Sequence, residues 1–403
     1  MIIKKLDNYT ILFCLRILKS ILNNFVDVFL VLYFLTISNS NIIPLGIYKL
    51  VAVISIWLVM FFTRNYCKSK GRIKFLRLGI ILYFLYFLTI IILREKIVDY
   101  IYIIGVLYGV EEGFYYCVYN MIESDGVANE DRTKYIGSYT FVKNIITILF
   151  PILFGYLIGI SGFINATICA LMIVILQLAL SFAFKDKNIP KQKKTNFKEF
   201  RNIIKKHKEF NKIIENKICS GLTYSEGALS YVITIYIIKV FQESISLGIF
   251  TSVFSVISAL IGVLFVKVIK PKNYNILMSV TSGITIVLLC TMLLNCNFLT
   301  IVLYNLFQTI SKGLMDLINE KNTANYSNIK ELKQEYKVEY YFSLETALFI
   351  GRVISNTLFI FMAFTNTNII MAIFVIFAIM MSVSSIRLQS AMEHVQEKIK
   401  WHK

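Results

Sequence analysis

Residues 185–217 read KDKNIPKQKKTNFKEFRNIIKKHKEFNKIIENK, with twelve Lys and Arg in one stretch near the middle of a 403-residue chain. On either side the sequence is a succession of apolar runs, and this is the longest polar interruption between them. Within it Phe197, Phe200, Ile203, Ile204, His207, Phe210, Ile213 and Ile214 recur at helical spacing among lysines. That pattern predicts a basic amphipathic helix lying on lipid headgroups, with regulation or partner binding as the alternative.

Working outward, six apolar runs precede the stretch and six follow, near 9–36, 43–63, 75–93, 98–120, 137–159, 162–184, 216–240, 247–268, 274–294, 297–318, 340–364 and 366–386. A run of roughly 17–25 apolar residues can cross a bilayer. Backbone groups in hydrocarbon must pair within their own segment, so runs this long are helices rather than barrel strands. The expected fold is an all-α polytopic membrane protein of about 12 transmembrane helices in two six-helix bundles with pseudo-twofold symmetry. Its parts would be an N-terminal bundle over 1–184, a basic cytoplasmic linker over 185–215, a C-terminal bundle over 216–386 and a tail over 387–403. The first run follows Lys4 and Lys5 as a signal peptide would, but Arg16, Asn23, Asn24 and Asp27 inside it argue for a retained span.

Composition agrees. The chain is 57% hydrophobic and 16% charged, against about 25% charged in soluble domains, which excludes a water-soluble enzyme. The net charge of +18 has no continuous basic surface to follow a phosphate backbone, so nucleic acid is not an expected partner. Instead 33 of the 42 Lys and Arg fall in alternate connections, which places both termini in the cytoplasm and requires an even number of spans. Seven scattered cysteines form no CxxC pair, and His207, His394 and His402 all lie in charged stretches, so neither a metal site nor a cofactor is expected. Abundant Ile, Lys, Asn, Phe and Tyr suit an AT-rich genome and a bacterial plasma membrane.

Ionisable groups inside spans cost on the order of 2.5–3.5 kcal/mol each near the centre, so they must face protein or water. They are Arg16, Lys19 and Asp27 in span 1, Glu111 and Glu112 in span 4, Lys143 in span 5, Glu226 in span 7, Lys312 and Asp316 in span 10, and Glu345 and Arg352 in span 11. Spans 3, 6, 9 and 12 have none in their interiors. Such a distribution fits halves whose first and fourth helices line a cavity and whose third and sixth face lipid. Helical spacing supports stripes of Arg16, Ser20, Asn23 and Asp27, of Glu112, Tyr116, Tyr119 and Glu123, and of Asn305, Gln308, Lys312, Asp316 and Asn319. Lys312 and Asp316 can pair at i,i+4. Glu345, Arg352 and Asn356 share a face, with the first two about 10 Å apart along the axis and expected out of direct contact. Each cluster could instead be a buried ion pair that locks helices together. Lys19 and Lys143, nearer the cytoplasmic edge, are expected to snorkel. Two adjacent carboxylates near mid-membrane do not both stay ionised without a cation, so one of Glu111 and Glu112 is expected to take up a proton.

Gly105, Gly109 and Gly113 repeat at i,i+4 and offer a close helix contact, sliding or static. Pro151 marks a kink or weak point in span 5. The halves show weak self-similarity at a lag near 200. Leu45-Gly46-Ile47-Tyr48 answers Leu247-Gly248-Ile249-Phe250, and Gly113 answers Gly313.

With twelve spans, termini inside, a basic mid-chain linker and charges on spans 1, 4, 7 and 10, the chain resembles the major facilitator superfamily over nearly its whole length. The loop after span 2 keeps Gly71 and Arg72 of that family's G-x-x-x-D-R-x-G-R-K motif, with Lys68 at the aspartate position and Arg64 at the leading glycine. Pro151 and Gly155 stand where exporters of the family carry G-P-x-x-G-G, at altered spacing. The resemblance implies a midplane site between two rocking bundles and a non-enzymatic, monomeric transporter. The expected function is secondary active transport of a small organic solute, coupled to protons through Asp27, Glu111, Glu112 or Glu226. Arg16, Asn23, Tyr115, Tyr116, Tyr119, Tyr224, Gln308, Lys312, Asp316, Glu345, Arg352 and Asn356 are the candidate cavity residues. Efflux of drugs or metabolites is favoured over uptake of a sugar, amino acid or peptide. A transporter-like sensor or scaffold is the reading from another class.

Overall fold

In a computed structural model of the chain, which describes residues 8–66, 73–119, 129–184, 195–223, 227–241, 243–268, 273–326, 336–365 and 367–401, the backbone is helical nearly throughout, with no strand among the described residues. The helices are α1 (Asn8–Phe25), α2 (Val31–Ile37), α3 (Ile43–Thr63), α4 (Ile73–Leu93), α5 (Ile101–Phe114), α6 (Asn129–Ser161), α7 (Phe163–Ala183), α8 (Phe197–Ile204), α9 (Lys208–Leu222), α10 (Ala228–Phe241), α11 (Ser244–Val268), α12 (Tyr274–Leu294), α13 (Phe298–Tyr326), α14 (Lys337–Phe361) and α15 (Thr367–Trp401). A π turn over Val26–Leu30 joins α1 to α2, and another over Tyr115–Tyr119 follows α5. Among the described residues seven helical stretches are long and apolar enough to cross a membrane, and three shorter apolar ones accompany them. Leu58, Phe62, Ile92, Leu153, Val287 and Leu294 stand exposed on these helices. A chain bathed only in water would not leave so much apolar surface open, whereas lipid tails cover it.

The chain divides into two compact units, one of Met1–Lys194 with Phe241–Ser255, the other of Thr195–Val240 with Val256–Lys403. In the first, Phe25 anchors the core, with ring centroids 4.9 Å from Phe154, 5.6 Å from Phe163 and 6.1 Å from Phe87. α5 lies directly on α3: a Cβ on Gly109 would meet the Ala52 carbonyl and lie 2.6 Å from Ser55 Cβ, and one on Gly113 would lie 2.8 Å from Val59 Cβ. The predicted small-residue face therefore packs on α3, and main chain fills the space that side chains would need. Gly313, the apparent counterpart of Gly113, has open space around it, so that sequence match is not a structural one. Pro151 lies inside an α6 that stays helical from Asn129 to Ser161, and its carbonyl carbon would be 3.1 Å from a Cβ on Gly248.

The second unit corrects two expectations. The basic stretch is two helices, α8 and α9, because His207 is extended between them. Asn196 caps α8 by accepting from the Glu199 amide, and its own amide donates to buried Glu339 at 2.8 Å. Phe200, Phe210 and Ile213 pack with Tyr326, Tyr340, Leu344, Leu388 and Met392, so the apolar face is covered by protein rather than resting on lipid headgroups. The run at 216–240 is not one helix either: α9 ends at Leu222 and α10 begins at Ala228. α9 crosses α14 at Gly221 and Gly351, where a Cβ on Gly351 would lie 2.9 Å from the Leu222 nitrogen. Ser355 stitches the break, accepting from the Ala228 amide and donating to the Gly221 carbonyl, both at 3.2 Å.

Candidate functional site

Four of the expected site residues, Gly71, Arg72, Tyr224 and Glu226, lie outside the described residues. The others sort into one dense cluster in the first unit and a looser set in the second.

The cluster begins on α1. Lys19, expected to snorkel, is 2% exposed, because its face of α1 is covered by the span-4 acids and by aromatic rings. Its Nζ donates to both carboxylate oxygens of Glu111, at 2.7 and 2.6 Å, and lies 2.8 Å from Glu112 Oε1. Glu111 and Glu112 are each 1% exposed, and neither carboxylate oxygen of Glu112 has a hydrogen-bond partner of good geometry. The ammonium also sits 3.9 Å from the centre of the Tyr83 ring and 5.2 Å from that of Tyr115, whose negative faces favour a cation. The missing cation of the sequence argument is therefore present, and it is one charge against two carboxylates.

Tyr83 hydroxyl donates to Asn23 Oδ1 at 3.3 Å, one turn along α1. Beyond it Tyr48 and Tyr86 share a hydrogen bond of 2.9 Å, and Tyr108 lies 5.8 Å from Tyr48 and 5.5 Å from Tyr86. These four buried tyrosines of α3, α4 and α5 carry no charge, so the pattern of embedded charges does not reveal them. The available signal was the pair Tyr83 and Tyr86, three apart in an otherwise apolar span.

Asp27 lies in the π turn, where an extra residue per turn reorients side chains and which is a recurrent mark of functional sites. Its side chain is 62% exposed, while Phe25, Val26 and Phe29 around it are buried. Lys49 Nζ, 4.0 Å away, is 6% exposed. An exposed carboxylate within a span must meet water rather than lipid. Arg16 is half-buried with its guanidinium 3.7 Å from the centre of the Tyr139 ring. The second π turn also changes the predicted Glu112–Tyr116–Tyr119 stripe. Tyr119 stacks on Tyr115, centroids 4.7 Å apart, and donates to the Leu12 carbonyl, while Tyr116 meets Tyr115 edge-on.

In the second unit Glu345 and Arg352 do touch, Arg352 Nη1 lying 3.7 Å from Glu345 Oε2. Two helical turns separate their backbones, but both side chains are long enough to close that gap. Asn356 donates to the Arg352 carbonyl at 2.8 Å, so its amide is engaged by its own helix. The expected stripe on α13 splits. Gln308, Lys312 and Asp316 are half-buried, whereas Asn305 bonds the Ile301 carbonyl and Asn319 bonds Ser385 of α15 at 2.9 Å. Asn216 reaches Ser384 and Ser385 of the same helix, and Asn322 reaches Gln389. This uncharged seam along α15 was invisible to a reading built on ionisable residues.

Among known proteins, the Major Facilitator Superfamily model matches residues 10–322. An uncharacterized protein of Bacillus subtilis (strain 168), YqgE, is 22% identical over 344 residues, covering 84% of this chain and 77% of its own. A crystal structure of a bacterial homologue of the iron transporter ferroportin in the inward-facing state superposes with a TM-score of 0.67 at 14% identity, over 95% of this chain and 98% of that one. The structure of a bacterial metal transporter gives 0.61 at 13% identity, over 96% and 99%. At these identities the likeness is one of fold.

Proposed function

Since the chain belongs to the major facilitator superfamily and is a multi-pass, non-enzymatic secondary transporter, we propose that it moves a small organic solute in exchange for protons, by alternating access between two six-helix halves with both termini in the cytoplasm. The observation that carries the coupling is the dry constellation of Lys19, Glu111 and Glu112 in a family whose members transport. Asp27 supplies an exposed carboxylate on the same helix. The half-buried Gln308, Lys312 and Asp316, with the Glu345–Arg352 pair, are the solute-facing candidates from the second unit. Tyr224 and Glu226 extend this set by sequence. Acids and bases are nearly balanced among the embedded residues, which suits a polar, zwitterionic or amphipathic solute. Export, from a bacterial plasma membrane and by a monomer, is the favoured arrangement.

The solved structures it resembles are a homologue of an iron transporter and a metal transporter, and at 13–14% identity the likeness of fold does not extend to cargo. Among the described residues no three His, Cys, Asp or Glu side chains come together as a metal ion would need.

The test is a thermal-shift screen of the purified protein against sugars, amino acids, short peptides, nucleosides and lipophilic drugs. A bound solute raises the melting temperature by mass action. Under this proposal at least one organic class stabilises the wild type and fails to stabilise Arg352→Gln. Stabilisation by divalent metals alone would overturn the choice of solute.

A further inference from the structure

Docking of α8 and α9 on the second unit leaves their other face uncovered, and that face is cationic. On α8, Phe200 is buried and Phe197, Ile203 and Ile204 are half-buried, while Lys198, Arg201 and Lys205 are exposed. Steps of three and four residues put these three cations in one row, opposite the packed side chains. Lys206 and Lys208, on either side of the extended His207, are exposed too and carry the patch onto the start of α9. Over residues 195–214 five exposed cations thus stand against one exposed acid, Glu199, whose carboxylate accepts from Asn196 Nδ2 at 2.9 Å. The next cations differ: Lys212 and Arg387 both pair with Glu215, at 2.9 and 3.2 Å, whereas none of the five forms an ion pair among the described residues. A helix macrodipole favours a cation in the last turn and opposes one in the first, so it does not account for Lys198.

We infer that this face binds the headgroups of anionic phospholipids, by charge alone and without entering the acyl region. What the two helices pack on sets their level. Phe210 lies 6.1 Å from Tyr326, the last residue of α13, and 6.0 Å from Tyr340, in the first turn of α14. Leu388 and Met392, in the same cluster, follow the apolar run that ends at 386. Three spans leave hydrocarbon here, at the depth of the headgroups. Insertion is closed off because the residues that could enter lipid, Phe200, Phe210 and Ile213, are buried against protein. Contact therefore falls to the cations, whose attraction to an anionic leaflet reaches about one Debye length, roughly 8 Å at physiological salt. Arg201 offers a planar fork to a phosphate, and the lysines add point charges around it. Neither proton coupling nor the choice of solute enters.

The experiment is electron spin resonance of chain-labelled phosphatidylglycerol and phosphatidylcholine in vesicles of the full-length protein, which reads the relative affinity of the two lipids for its surface. The wild type should prefer phosphatidylglycerol several-fold, and the preference should fall towards unity in about 1 M NaCl, where the Debye length is about 3 Å. The triple variant Lys198→Gln/Arg201→Gln/Lys205→Gln should lose most of it. Arg94→Gln/Lys96→Gln, which removes two exposed cations at the far end of α4, should keep it. All five replacements are of exposed side chains, and the salt dependence of the wild type needs no variant to fold. A wild type without preference, a preference that survives 1 M NaCl, or a triple variant as selective as the wild type would each overturn the site. If the triple variant kept its lipid selectivity but lost binding of poly-glutamate shown by the wild type, the face would belong to an acidic protein instead.

Discussion

Replacing Lys19 by methionine is the most informative perturbation of stability. The side chain stays unbranched and apolar but ends one atom short of the ammonium, so it loses three N···O contacts of 2.6–2.8 Å in a site whose members are 1–3% exposed. Removing one partner of a buried ion pair costs about 3–5 kcal/mol, because the charge left behind has neither solvent nor counter-ion. For a unit of this size such a loss lowers the melting temperature by on the order of 10 °C. The assay is thermal unfolding in detergent at neutral pH, read for wild type, Lys19→Met, Glu111→Gln/Glu112→Gln and the triple variant. If the ammonium is held by these two carboxylates, the triple variant melts well above Lys19→Met, because no orphaned charge is left and the coupling between neighbouring sites is large. Lys19→Met melting within a degree or two of wild type would refute the reasoning, as would strict additivity around the cycle.

Three further outcomes follow from the geometry. Alanine replacements along α5 should destabilise in the order Gly109, Gly113, Gly105, by about 1–3 kcal/mol at the worst position, since a Cβ on Gly109 meets the Ala52 carbonyl while one on Gly105 is 3.0 Å from its nearest atoms; thermal unfolding of the three variants checks the order. Asp27→Asn should lower the melting temperature measurably, because the buried Lys49 ammonium 4.0 Å away loses its counter-charge, and solute flux should fall to background. Glu215, at the edge of the linker, is pushed up by partial burial and pulled further down by Lys212 and Arg387, so it lies below the usual carboxylate range. A depressed acid stabilises the fold above its unfolded pKa and loses that contribution as pH falls through its folded one; Arg387→Gln should therefore shrink the loss of melting temperature on acidification.

What the sequence made legible was what periodicity and solvation alone decide. Most of the expected runs fall in helix among the described residues, because only internally paired backbone survives in hydrocarbon; the run at 216–240 is the exception, broken between Leu222 and Ala228. The embedded charges point to Lys19, Glu111 and Glu112 but not to their partnership: distance from the membrane edge favours a snorkelling Lys19, and only the packing of α1 against α4 and α5 puts it between two acids. The two π turns were illegible, since 3.6-residue spacing was assumed through Asp27 and Tyr119, where the backbone adopts a wider turn. Apolar residues at 197–214 read as a membrane-facing stripe because lipid and a protein groove make the same demand of a helix face. Tyr326, Tyr340 and Leu388, which cover it, are distant in sequence. Ser355 and the α15 seam escaped notice for a simpler reason. A serine or asparagine spans a membrane without announcing whether its hydroxyl or amide is bonded to its own helix or to another.

The most direct test of coupled transport through this cluster is lumenal pH in proteoliposomes of the full-length protein, recorded with a trapped dye while solutes from the stabilising class are added. Wild type should change lumenal pH upon addition of a solute, and Glu112→Gln should bind that solute and leave the pH unmoved. Solute crossing the membrane with no pH change in the wild type, or an undiminished change in Glu112→Gln, would contradict the account.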